Sequence, residues 1–67
     1  MLTDINIDPF KKYSRKEIEK LLDFTPDQLK VAEAKKLMLF FDNQMYGLYF
    51  FQFLSTNALK LEEIKNA

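Results

Sequence analysis

The chain has no cysteine and no histidine among its 67 residues. Disulfides are therefore excluded, and so are the usual sulfur and nitrogen ligands of a zinc site. Only Gly47, Pro9 and Pro26 punctuate the backbone, and this scarcity, with 48% hydrophobic and 15% aromatic residues, argues against disorder. An excess of one charge sign is missing too. Ten Lys and Arg balance ten Asp and Glu, which removes the whole-domain positive field that draws a protein to nucleic acid or to anionic lipid. The longest apolar run, Met45 to Leu54, contains Gln52 and is shorter than the ~20 residues that span a bilayer. No basic segment followed by an apolar one stands at the start, so no secretory signal and no membrane association are expected, and the cytoplasm is the expected compartment.

What remains must fold by apolar packing alone. A chain of this length makes one domain, and only about 60% of its surface can be buried. The periodicity predicts an N-terminal arm or short strand over residues 1–13, with Ile5, Ile7 and Phe10 apolar and Pro9 breaking any helix. A folded domain is expected over residues 14–67. Ser14-Arg15-Lys16-Glu17 has the form of a capping box, and Ile18, Leu21 and Leu22 follow on one helical face, predicting a first helix from about Arg15 to Leu22. Thr25-Pro26-Asp27-Gln28 repeats that logic with proline at the first helical position. In this second helix Leu29, Ala32 and Leu37 can face the first, with Val31, Ala34 and Met38 as a flanking stripe. Only Asp23, Phe24 and Thr25 separate the two, with Phe24 as the plug of the turn, which reads as a helix-turn-helix unit.

Beyond Leu37 the helical spacing stops. Two apolar runs, Leu37 to Phe41 and Leu48 to Phe53, flank Asp42-Asn43-Gln44-Met45-Tyr46-Gly47, a pattern that predicts a β-hairpin. Periodicity does not separate a short strand from a buried helix, so Leu48 to Leu54 has a helical alternative, although its phenylalanines and tyrosines favour strand. Asn57 is a candidate cap for a short closing helix in which Leu61 and Ile64 share a face.

Catalysis finds no footing in these residues. Glu17 and Glu19 point to different helix faces, Glu62 and Glu63 are adjacent in a charged terminal segment, and Ser14 and Ser55 read as residues near helix starts. There is no glycine-rich phosphate loop. The expected protein is not an enzyme and takes no cofactor, metal or small-molecule substrate.

Tyr13-Ser14-Arg15-Lys16-Glu17-Ile18, then Leu21-Leu22 and Phe24-Thr25-Pro26-Asp27-Gln28-Leu29-Lys30, resemble the opening of MerR-like winged helices and the related excisionase domains. With Thr3 to Ile7 ahead of the core, the look is nearest to the small excisionases of conjugative transposons. The resemblance implies an α+β winged helix-turn-helix: two capped helices, a β-hairpin wing and a short C-terminal helix. It implies a small DNA-binding accessory or regulatory protein that docks its second helix in the major groove of double-stranded DNA. Gln28 then stands where a base-reading residue is expected, since glutamine can pair twice with adenine. Lys30, Lys35 and Lys36 become phosphate contacts, with Lys11, Lys12, Arg15 and Lys16 as further backbone contacts. The chain departs from the pattern in several places. Ala32 replaces a large aromatic residue, Glu33 adds negative charge, and Lys36 replaces a glycine. Between Leu37 and Leu59 the only charge is Asp42, so the wing offers phosphate no cation.

A second reading starts from the aromatics. Seven of ten, Phe40, Phe41, Tyr46, Tyr49, Phe50, Phe51 and Phe53, fall in the hairpin region, and a two-stranded hairpin hides one face only. Either they complete the core or they form a sticky surface for a protein partner or a second copy, with Tyr46, Tyr49, Phe51 and Phe53 as the candidate interface. Bases of single-stranded nucleic acid can also stack on such rings, but no cations stand nearby. Salt dependence of DNA binding separates the two main readings.

Overall fold

In the computed structural model, which describes residues 5–67, the chain forms an α+β arrangement of four helices and one two-stranded antiparallel sheet. The order is β1 (Lys12–Ser14), α1 (Arg15–Leu22), α2 (Pro26–Ala34), β2 (Gln44–Tyr46), α3 (Gly47–Thr56) and α4 (Ala58–Lys65). The first four residues of the expected arm lie outside the described residues; the rest of it runs as irregular chain into β1.

Local chemistry sets both ends of α1 and α2. The Ser14 hydroxyl accepts from the Glu17 amide, and the Ser14 amide donates to Glu17 Oε1, both at 3.2 Å. Thr25 and Gln28 repeat the exchange at 3.1 and 2.9 Å. The residue before each cap, Tyr13 or Phe24, and the fourth residue inside each helix, Ile18 or Leu29, are buried; these are the positions of a hydrophobic staple. Each helix closes on a left-handed residue. The Asp23 (φ 57°) and Lys36 (φ 61°) amides donate to Lys20 and Glu33, and the next amides, of Phe24 and Leu37, reach back to Glu19 and Ala32. This is the Schellman closure, which satisfies the orphan carbonyls of the last turn. Phe24 is thus the closing apolar residue of α1 and the opening staple of α2, which is why so short a turn suffices.

The expected hairpin wing over Leu37–Phe53 is not formed as such. Its turn exists: Asp42 and Asn43 have φ of 51° and 61°, and Phe41 and Gln44 exchange backbone bonds of 2.8 and 2.9 Å, a two-residue turn of type I′. Its strands do not extend. β2 pairs with β1 in the register Lys12↔Tyr46, Tyr13↔Met45, Ser14↔Gln44, and Leu48 to Leu54 is helical. The physical reason lies in burial at Gly47, Phe50 and Leu54, spacings of three and four that only a helix can turn to one side. The helix also finds acceptors for its first amides. Gly47 donates to the Lys11 carbonyl at 2.7 Å and Leu48 to that of Pro9 at 3.0 Å, so residues 8–11 form a strap across the start of α3.

The core gathers residues from every element, with Ile18, Leu22, Leu29, Ala32, Met38, Phe50 and Leu61 fully buried. The Phe50 ring meets Tyr13 edge to face, centroids 5.8 Å apart, a geometry favourable beyond area burial. Of the expected core stripes, Leu21, Val31 and Ala34 remain exposed. Leu61 and Ile64 close the core from α4 as expected. Asn57 precedes α4 without a side-chain cap bond, and its side-chain Nδ2 donates to the Leu37 carbonyl at 3.2 Å. Ser55 lies near the end of α3, not at a helix start.

Candidate functional site

The sequence offered two sets of site residues, and their environments differ sharply. In the first set, Gln28 is bonded at both ends of its amide. Its Oε1 completes the capping box with Thr25, while Nε2 donates to the carbonyls of Ile64 and Lys65 at 3.1 and 3.3 Å. A glutamine that reads adenine needs both ends free. Here the residue ties the start of α2 to the end of α4, satisfying carbonyls that a helix terminus leaves open.

Arg15 is also engaged. Its guanidinium pairs with Glu33, donates to Asn43 Oδ1 at 3.1 Å and lies 4.3 Å from the Phe40 ring centroid. It thereby joins α1, α2 and the turn. Lys11 contacts Glu17 at 2.9 Å and sits over the Tyr13 ring. That ammonium, and then the Ser14 amide, hold the Glu17 carboxyl below the usual carboxylate range, and the hydrogen bond to Glu17 raises Lys11 in turn. Lys12 covers the Tyr46 ring at 5.2 Å. Lys16, Lys30, Lys35 and Lys36 are exposed. The structure therefore does not bring the eight proposed nucleic-acid contacts to one face as free side chains.

The second set converges. Tyr46, Tyr49 and Phe53 line one groove of about 570 Å³ together with Leu39, Phe41 and Met45. The backbone explains the convergence. β2 carries Met45 inward and Tyr46 outward, the type I′ turn lifts Phe41, and the first two turns of α3 present Tyr49 and Phe53 on one flank, four residues apart. Phe41 is 87% exposed, Leu39 55% and Tyr49 53%. Among the described residues, Lys12 and Asp42 are the only charged ones of the lining. Phe51 does not belong to it: it leaves α3 on the other flank and is exposed there.

Leu39, Phe41 and Met45 were missed as site residues. The signal available was the apolar residue before a two-residue Asp-Asn turn, which a tight turn displays at its base. A second cleft, about 520 Å³ between α2 and α4, is lined by Gln28, Val31, Lys35, Lys60 and Glu63 among others. Its charges are mixed, and both Gln28 and Ile64 of the clasp belong to its lining. Among the described residues no group of three or more acidic, His or Cys side chains is placed to hold a metal ion, and no helix is long and apolar enough to cross a membrane.

No protein-family model matches the chain, no curated protein is similar to it, and no solved structure matches its fold.

Proposed function

We propose that this chain is a protein-interaction module on a winged-helix type of scaffold, with the aromatic groove as its binding face. One observation carries the reading: Leu39, Phe41, Tyr46 and Tyr49 stand at least half open or nearly so around a single apolar groove. Contiguous exposed apolar surface rimmed by polar residues marks interaction sites. Aromatic side chains anchor interfaces because they remove a large rigid area from water at little entropic cost. The scaffold part is supported by the order strand, helix, helix, tight turn, strand.

Double-stranded DNA binding of the excisionase kind is the second reading. What favours it is the exposure of Lys30, Lys35 and Lys36 along and just beyond α2. Against it stand the Gln28 clasp, the Arg15–Glu33 pair, and a turn whose only charge is Asp42.

Two titrations separate the readings. An anilinonaphthalene dye reports the apolar groove by its fluorescence, and the anisotropy of labelled random duplex reports DNA binding; both are run at about 50 and about 200 mM salt, a range over which several phosphate contacts change affinity greatly. Dye binding that ignores salt and is lost in Tyr49→Asp, with the helical circular-dichroism signal intact, is the expected result. Duplex binding that collapses at the higher salt, weakens in Lys30→Ala and Lys35→Ala, and ignores Tyr49→Asp would overturn the groove reading.

A further inference from the structure

We infer that the groove is filled by a second copy of this chain, in a two-fold dimer where the Phe41 of each copy enters the groove of the other. The inference rests on the groove being a protein-binding face and names its occupant.

A two-fold contact must be self-complementary: whatever residue i offers, residue j on the same face must accept. This face meets that condition in shape. Phe41 lines the groove yet is 87% exposed, so one surface carries both a projecting ring and a hollow about the size of a few side chains. It meets it in charge as well. Lys12 lies level with Tyr46 at one end of the β1–β2 ladder, and Asp42 sits in the turn beyond Gln44 at the other. A two-fold axis through the outer side of β2 near Gln44, midway between the levels of Lys12 and Asp42, sets each Lys12 against the Asp42 of the second copy. One cation and one anion at opposite ends of an apolar strip match an inverted copy of themselves.

Size and long-range charge agree. If a fully exposed aromatic offers about 200 Å², then Phe41, Tyr46 and Tyr49 together leave roughly 370 Å² open. Leu39 and the rim of Lys12, Asp42 and Gln44 bring the face to an area on the order of 700 Å², near the ~800 Å² that each partner gives to a standard interface. With ten charges of each sign, the copies have no net repulsion to overcome.

The test is sedimentation velocity of the full chain from about 10 µM to about 1 mM, a range in which a weak dimer populates by mass action. The expected result is a mass rising from 8.0 kDa toward twice that, with Phe41→Glu and Tyr49→Glu each monomeric throughout. Lys12→Glu alone and Asp42→Lys alone should also stay monomeric, since each sets like charges face to face twice over. Mixing these two variants should restore the dimer as a heterodimer. Lys36 shows that this backbone accepts a lysine at a left-handed position, and circular dichroism verifies that each variant is folded. A wild-type chain monomeric at every concentration overturns the inference. So does a dimer that survives both glutamate substitutions, or one that the single charge reversals leave intact. Tyr49-dependent dye binding by a strictly monomeric protein would leave the groove reading standing without the second copy, and loss of both would end the two together.

Discussion

Gly47 opens α3, and its replacement by alanine sets two effects of opposite sign against each other. Helix propensity alone favours alanine by ~0.5–1 kcal/mol. The strap opposes it. A β-carbon at Gly47 would overlap the Asp8 carbonyl oxygen, lie 2.8 Å from the carbonyl carbon and 3.1 Å from Ile7 Cγ2. The closest atoms are backbone, so no rotamer change relieves them and the strap must lift. Lifting removes the bonds from Gly47 to Lys11 and from Leu48 to Pro9, each worth ~0.5–1.5 kcal/mol net, and loosens Ile7 from the core. The two bonds amount to about 1–3 kcal/mol, and the loosening of Ile7 roughly offsets the propensity gain, so the balance is a loss of about 1–3 kcal/mol. For a domain of this size that lowers the melting temperature by roughly 5–20 °C. Urea titration followed by the helical circular-dichroism signal measures it, with Gln52→Ala on the exposed face of the same helix as the control that should hardly move. An unchanged or higher midpoint for Gly47→Ala would falsify the account, because it would mean that the strap gives way at no cost.

Three further outcomes follow from the caps and ion pairs. Gln28→Ala removes one arm of a capping box and the clasp on Ile64 and Lys65, so stability should fall by ~1–2 kcal/mol and amide exchange should quicken at the end of α4; a stability unchanged within experimental error would mean that the residue is free for another role. Lys36→Gly relieves the left-handed strain at the close of α2 and should stabilise by ~0.5–1 kcal/mol, visible as a higher urea midpoint, whereas Lys36→Ala should not. The Glu17 carboxyl is held below its ordinary value of 4.5 in the folded chain. Its contribution is therefore complete above that pH and is lost as pH falls through the depressed value. Glu17→Gln keeps a capping box, as Gln28 does in α2, and should flatten that acid limb; an equally steep limb in the variant would assign the acid sensitivity to other carboxyls.

The parts that could be read from the sequence are those fixed by neighbours in the chain. Ser14 to Glu17 and Thr25 to Gln28 state where two helices start, because the bonds that start them span three residues. Phe24 as plug, the burial of Ile18, Leu22, Leu29 and Ala32, and the apolar face of α4 follow from the same short spacings. Of the turn expected over Asp42 to Gly47 only the Asp42-Asn43 end turns the chain, since aspartate and asparagine tolerate positive φ, while Gln44–Tyr46 is β2 and Gly47 opens α3. The run after it was misjudged because its aromatics carry a strand preference, while its burial at Gly47, Phe50 and Leu54 depends on what lies across the core. β1 was not foreseeable as the partner of β2: Lys12 and Tyr46 are far apart in sequence, and the pairing exists only once α1 and α2 have turned the chain back. The site divides in the same way. Tyr46, Tyr49 and Phe53 stood out by composition. That Gln28 would turn inward to α4 depended on a helix at the far end of the chain.

The strap over α3 gives this protein a direction in time. Residues 8–11 are made well before the amides they receive, those of Gly47 and Leu48. A nascent chain that ends after α2 carries the capping residues of two helices, but no β2 to pair with β1 and neither Phe50 nor Leu54 for the core that Ile18 and Leu22 share with them. The strap finds its donors only once β2 and α3 have been made, which complete the sheet and the groove wall together, and α4 then closes the core with Leu61 and Ile64. Synthesis is gradual, but the strap, the sheet and the groove wall all wait on the same late segment.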